Sequence, residues 1–310
     1  MKVLVTGATG FVGRTLVPLL AARGWSVFAN GRRQDLVPPG ATFLSGDLGQ
    51  GHVREALVKG MDAVVHLAGR AHVMDADGEA HRAAFRHMNV GITTALADAA
   101  IAAGVGRFIF SSSVKVNGEQ ATASRPFTED DKPAPADSYA QSKLEAEREL
   151  LARAGERLAV TILRPPLMYG ADAKGNFARL LRLVRAGMPL PLRAVANKRS
   201  LLYVKNFASA IASVLEGPQI TRTYLVSDGE PLSTPELLRH VAQSLECPAR
   251  LFPVPAWSLT LVGALTGRAA EVRLLTGSLV VNDARIREEL GWVPPYSVAT
   301  AMREVAQALQ

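Results

Sequence analysis

Three observations predict an α/β fold, a doubly wound parallel sheet followed by a smaller, mostly C-terminal α/β domain. Short β-branched runs alternate with longer helix-period segments through the first half of the 310 residues. A glycine-rich turn separates the first such run from the first helix pattern. The alternation then breaks at Arg164-Pro165-Pro166, and prolines recur through the rest of the chain. Strands alternating with helices imply βαβ units, and right-handed crossovers wind the helices onto both faces of one sheet.

Taken in order, strands are expected at residues 2–6, 26–30, 42–46, 63–68, 108–112 and 159–163. Helices are expected at 12–22, 53–59, 87–102 and 139–154, where apolar residues follow a helical period. The second half reads as short helices and loops with one return strand at 223–227. The expected division is 1–165 and 166–310, with about 201–226 returning to the first unit.

Hydrophobic residues make up 48% and charged residues 20%, a globular composition that excludes disordered and collagen-like chains. A single cysteine, Cys247, excludes an intramolecular disulfide and a cysteine-based zinc site, and no metal-ligating set is predicted. The formal charge of +7 favours anionic partners. The best apolar candidate for a membrane span, residues 257–265, contains Ser, Thr and Gly and falls far short of the roughly 20 residues required. The N-terminal apolar run ends in glycines rather than at a cleavage site, so a cytoplasmic location is expected.

The turn reads Thr6-Gly7-Ala8-Thr9-Gly10-Phe11-Val12-Gly13, a G-x-x-G-x-x-G spacing between a strand and a helix. The first glycine permits the tight turn, the second admits a pyrophosphate to the backbone, and the third lets helix and strand pack closely. The helix N-terminus offers free N–H groups to the anion. This context predicts a Rossmann dinucleotide site built from Gly7, Thr9, Gly10, Phe11, Val12 and Gly13. The second strand ends Ala29-Asn30-Gly31-Arg32-Arg33, with no acid to hold a ribose. Arg32 and Arg33 can bond a 2′-phosphate, so NADP(H) is favoured, with NAD(H) the alternative. Asp47 and Leu48 follow the third strand and face the adenine end. Leu67, Ala68 and Gly69 end the fourth, where small residues let a cofactor cross the sheet. His66 reads as a buried strand histidine.

Tyr139 and Lys143 stand four apart at the start of a helix and share one face. An adjacent ammonium is expected to lower the pKa of the tyrosine, and Lys143 can also hold a nicotinamide ribose. Ser113 closes a buried strand that opens on the ligand crevice, where it can bond the reacting oxygen beside Tyr139. Between residues 174 and 205 stand eight Lys/Arg and no acid, a stretch able to neutralise a diphosphate. Arg179, Arg182 and Arg185 share a helical spacing there. Few aromatics are interleaved, which argues against nucleic acid as the partner.

The glycine loop, residues 66–69, Ser113 and the Tyr139/Lys143 pair together resemble the extended short-chain dehydrogenase/reductases, specifically the NAD-dependent epimerase/dehydratase family acting on nucleotide sugars. The likeness continues through Leu163–Gly170 and the closing Glu289-Leu290-Gly291-Trp292. It implies a catalytic set of Ser113, Tyr139 and Lys143. It adds Asn89 and Pro166 to the cofactor contacts. It also implies a substrate set of Ser112, Ser113, Asn176, Arg199 and, more weakly, Arg273, the arginines meeting the diphosphate of a UDP-sugar. A homodimer through helices near 87–102 and 139–154 is implied as well. Residues 111–119 look most like a subgroup that includes bacterial O-antigen 4-ketoreductases, which reduce UDP-4-keto-6-deoxy-N-acetylhexosamines and are often labelled UDP-glucose 4-epimerases.

The family's dehydratases carry an Asp-Glu pair after the catalytic hydroxyl; here Val114 and Lys115 follow Ser113, so dehydration is not expected. Relatives that merely sense NAD(P) commonly lose the tyrosine or lysine, and this chain keeps both. The acid-free end of the second strand, with Arg32 and Arg33 beside it, fits an exchangeable NADPH better than a retained NAD, and Asn117 stands where many 4-epimerases of the family carry tyrosine. The expected reaction is therefore NAD(P)H-dependent reduction at C4, with a UDP-hexose 4-epimerase using retained NAD as the alternative.

Overall fold

The computed structural model describes residues 1–70, 78–173 and 176–308, without the side chains of Asn176 and Ala256. Seven parallel strands form one sheet in the order β3 (Ala41–Ser45), β2 (Ser26–Gly31), β1 (Lys2–Thr6), β4 (Ala63–His66), β5 (Arg107–Ser111), β6 (Ala159–Arg164), β9 (Arg222–Leu225). Strands buried on both faces read as continuous apolar runs, as β1 and β6 do. Val3 and Val5 point into one core with α1 (Phe11–Ala22) and α7 (Val204–Glu216). Leu4, between them, points into the other with α2 (Gly51–Val58), α4 (Ile92–Ala102) and α5 (Ser138–Arg153). The sheet is thus a doubly wound Rossmann layer, and the strand order reverses between β1 and β4. That switch point opens a crevice at the C-terminal strand ends.

Three local departures from expectation matter. β4 stops at His66: Leu67 N–H still makes a ladder bond to Thr6 O at 3.2 Å, but the next bond, from Ala68 N–H, goes to the Thr6 side-chain Oγ1 at 3.4 Å instead of to a strand backbone. The helix expected at 87–102 begins earlier, as α3 (Glu79–Phe85), and runs through a π-helical turn, Arg86–Gly91, into α4. Two three-residue strands, β7 (Leu167–Tyr169) and β8 (Leu201–Tyr203), pair in parallel as a second small sheet. Such short strands leave no readable period in a sequence. The remainder is helical: α6 (Asn176–Arg185), α8 (Thr234–Ser244), α9 (Ala256–Leu265), α10 (Ala269–Thr276), α11 (Ala284–Leu290) and α12 (Val298–Gln307).

Candidate active site

The glycine loop lies directly over the end of β4. Gly7 has φ +68°, and a Cβ on it would stand 2.7 Å from Ala68 N and 2.9 Å from the Leu67 carbonyl carbon. A Cβ on Gly13 would stand 2.5 Å from Gly7 O, so the loop and the first turn of α1 cross backbone to backbone. Gly10 caps α1 without a side-chain hydrogen bond, and no acid sits in the first turn. The first N–H groups of the helix therefore face the crevice uncapped, and the cradle fits a dinucleotide pyrophosphate. Val12 packs into the core, so its backbone alone can serve a ligand. The Phe11 ring lies against Gly170, 3.1 Å from where its Cβ would be. Thr9 lies over Gly31 at the end of β2. Pro166 is buried where β6 leaves the sheet.

At the β2 end, Asn30 turns into the sheet and donates to Leu44 O and Gly46 O, both at 3.2 Å. Arg32 is exposed, while Arg33 pairs with Asp35 two residues on, its Nε 3.1 Å from Oδ1. Both partners of that pair are exposed, so an anion could draw Arg33 away at little cost. The Asp47 Oδ1 accepts from Gly49 N–H at 2.9 Å, and Leu48 is buried beside it.

The catalytic candidates converge at the ends of β5 and α5. Asp137 caps α5, accepting from Ala140 N–H at 2.7 Å, and its other oxygen meets Lys115 Nζ at 2.6 Å. Lys115 N–H in turn donates to Ser113 Oγ at 3.2 Å, so one ion pair ties the serine turn to the tyrosine helix. Tyr139 stands one turn before Lys143 and packs edge-on to Phe85, ring centroids 6.1 Å apart. Burial pushes the Tyr139 phenol up to about 12; its hydrogen bond with Ser113 pulls the other way, and Asp137 adds to the rise. The expected lowering by Lys143 is not found. The ammonium bonds Ser111 O at 2.9 Å, sits 4.4 Å over the Phe110 ring, and is itself brought down to about 8 by burial. A Cβ on Gly69 would stand 3.4 Å from Lys143 Nζ and 3.1 Å from Asn89 Oδ1, so a side chain here would press on both.

Two expected contacts are corrected. Ser112 does not face the crevice. Its hydroxyl donates at 2.5 Å to Glu147 Oε1, deep in the protein, where Arg164 Nε also reaches the same oxygen at 2.9 Å. Successive side chains of an extended segment point to opposite sides, so Ser113 and Ser112 cannot both meet a ligand. Asn89 is spent on structure: Oδ1 accepts from Arg70 N–H at 2.8 Å, and its amide hydrogens go to Arg70 O and Ser142 Oγ at 3.2 and 3.0 Å. It clips the loop after β4 to α5 rather than offering a free donor. Asn117 likewise points inward, accepting from Arg164 Nη1 at 3.1 Å and donating to Thr128 O at 2.8 Å. It therefore gives no reading of epimerase against reductase.

His66 is the structural residue expected. Thr93 Oγ1 donates to Asn89 O at 2.7 Å, so it must accept from His66 Nε2, 3.0 Å away. His66 Nδ1 then accepts from Thr6 Oγ1 at 2.7 Å. Burial brings its pKa down to about 3.

On the second half, Arg199 is half-buried with no carboxylate partner among the described residues, its Nη1 3.0 Å from Gly277 O. Burial lowers its pKa. Gly277 N–H donates to Arg273 O at 2.8 Å, so the two arginines lie on either side of one glycine. Arg273 is exposed. Arg179, by contrast, pairs with Glu271 at 2.7 Å. Lys174 and the Asn176 side chain lie outside the described residues.

Fold and site together define an enzyme of the short-chain dehydrogenase/reductase type. Residues 3–226 match the NAD dependent epimerase/dehydratase family, and the chain belongs to it. It is 40% identical to a UDP-glucose 4-epimerase of Vibrio cholerae over 99% of this chain and 95% of that one. It is 30% identical to a GDP-6-deoxy-D-mannose reductase of Pseudomonas aeruginosa over 98% of this chain and 95% of that one. The UDP-N-acetylglucosamine 4-epimerase of Bacillus cereus superposes with a TM-score of 0.82 at 21% identity, over 100% of this chain and 99% of that one, a likeness of fold.

Proposed function

We propose that this enzyme reduces the C4 keto group of a UDP-4-keto-6-deoxy-N-acetylhexosamine, at the expense of a reduced nicotinamide, in bacterial surface-polysaccharide synthesis. The observation that carries this reading is the end of β2: Arg32 is exposed, Arg33 is held only by an exposed pair with Asp35, and Asn30 turns into the sheet with no acid beside it to hold a ribose. That end suits a 2′-phosphate and so an exchangeable NADPH, which a reductase consumes each cycle, whereas an epimerase retains its NAD. Tyr139, bonded to Ser113, can serve either reaction. The bound nicotinamide would supply the hydride. Ser113 orients the C4 oxygen, Tyr139 gives it the phenolic proton, and the Lys143 ammonium offsets the charge left on the phenolate. The loop Gly7–Gly13, Leu67–Gly69, Lys143 and Pro166 hold the cofactor, and Arg199 with Arg273 takes the diphosphate.

The reading assigns the cofactor to residues 1–165 with 201–226, and the sugar to the rest. Exposed Met88 and Leu151, on the π-turn and α5, support a homodimer through those helices. Nucleotide sugars and reduced nicotinamides are cytoplasmic metabolites, which puts the reaction there. Arg32 and Arg33 favour NADPH over NADH. Replacing both with alanine should weaken NADPH binding by roughly 10- to 150-fold and leave NADH binding nearly unchanged.

A second reading, UDP-hexose 4-epimerase, is favoured by the Vibrio cholerae relative. Deuterated NADPH separates the two. With the keto sugar, the reductase puts one deuterium at C4 for each cofactor consumed. Rapid interconversion of UDP-glucose and UDP-galactose without added cofactor would overturn the proposal.

A further inference from the structure

The stretch Leu251–Gly267 holds seventeen residues without a charge, bounded by Arg250 and Arg268. It contains α9, whose ten residues span about 15 Å, half of what a bilayer core needs. One side of α9 is covered. A Cβ on Gly263 would stand 2.7 Å from Val272 Cγ2 of α10. The opposite side is open: Trp257, Leu261 and Leu265, spaced four apart on one helical face, are 70%, 51% and 79% exposed. A helix that is apolar all round is normally covered all round.

The charges that bound this stretch in the sequence favour one occupant. Arg250 and Arg268 are exposed, and no carboxylate among the described residues pairs with them. From Pro248 to Asn282 the sole acid is Glu271, and Arg179 neutralises it at 2.7 Å. A second copy packed on this stretch would bring its own arginines with no free acid to balance them. An anionic lipid surface supplies that balance and takes the apolar face, with tryptophan at the headgroup level.

We propose that the outer face of α9 docks the enzyme on an anionic bilayer, lying in the interface without crossing it. Flotation of the full chain with phosphatidylethanolamine–phosphatidylglycerol vesicles, against pure phosphatidylcholine vesicles, tests it. Binding should be confined to the anionic vesicles, weaken with added salt, and shift tryptophan emission to the blue. Arg250→Gln with Arg268→Gln should weaken it about thirtyfold. Trp257→Ser with Leu261→Gln and Leu265→Gln should weaken it at least a hundredfold, on the order of three partly buried apolar side chains. Both variants should keep wild-type turnover in vesicle-free buffer. Failure to float, equal flotation with phosphatidylcholine, or insensitivity to either variant overturns the proposal. So does light scattering that finds a dimer in the wild type and a monomer in the triple variant.

Discussion

In the proposed reaction Tyr139, whose phenol burial raises to about 12 and which bonds Ser113, is the proton donor. Tyr139→Phe keeps the ring packed on Phe85 and removes only the hydroxyl. Turnover should fall by roughly 10²–10⁴-fold, with thermal stability and cofactor affinity close to wild type. Near wild-type turnover would remove Tyr139 from the mechanism. Lys143 adds a pH limit that belongs to the same measurement. In the proposed reaction its ammonium offsets the phenolate, and burial brings it down to about 8. Turnover should therefore decline as pH rises through that value. The neighbouring serines differ by one step along the chain and by everything in their environment. Ser113 meets Tyr139, while Ser112 meets a carboxylate in the interior. The alternation that separates them was available from the run of serines alone. What the sequence could not show was Glu147 waiting on the inner side, because it is 35 residues away.

Among the elements, α5 does the most positioning. One turn beyond Lys143 it carries Glu147, which with Arg164 of β6 forms an ion pair 2% and 7% exposed at the side chains. Ser112 and Asn117 complete the arrangement. A buried pair of this kind adds little net stability while intact, and losing one partner leaves a naked charge. Glu147→Ala should cost about 3–5 kcal/mol, read as a fall in the urea midpoint. Glu147→Gln with Arg164→Met should recover part of it. Recovery absent from the double variant would mean that the pair is not the source of the loss. The long elements of the first half were legible because each holds enough turns or alternations to show a period. β7 and β8 were not, since three residues hold none, and their pairing rests on a contact between positions 34 apart. The π-turn was equally invisible: Asn89, Val90 and Gly91 are weak helix formers, but weak propensity alone does not distinguish a wide helical turn from a helix end.

For the whole molecule, the hydrogen bonds through Thr6, His66 and Thr93 join the two halves of the sheet under the crevice and continue to Asn89 and α5. Both imidazole nitrogens are committed with the ring neutral, so protonation breaks the chain. The folded-state pKa, about 3, lies below the ordinary 6.5. Between those values the unfolded chain binds the proton and the folded chain does not. Stability is thus present above pH 6.5 and is lost as pH falls toward 3. From pH 7 to 4.5 this one residue should remove about 3 kcal/mol, measured by urea unfolding. His66→Gln should flatten that part of the profile; an equally steep one would assign the acid sensitivity to other groups. The glycine spacing and the Tyr139/Lys143 pair made the class of enzyme readable without coordinates. The hydrogen-bond chain did not announce itself, because its members come from five separate elements.

The π-turn at Arg86–Gly91 has a bearing on how this protein can change. Upstream of it, α3 offers Phe85 to Tyr139; downstream, α4 offers Leu96 and Ala100 to the core. An uninterrupted helix would lock those two faces into one phase, about 100° per residue, and any shift at one end would rotate the other. The surplus residue shifts the phase by a fixed step, the backbone staying helical at both of its ends. One continuous rod can therefore turn Phe85 toward the crevice and Leu96 toward the sheet, and deleting a residue from the turn should swing one of the two out of place.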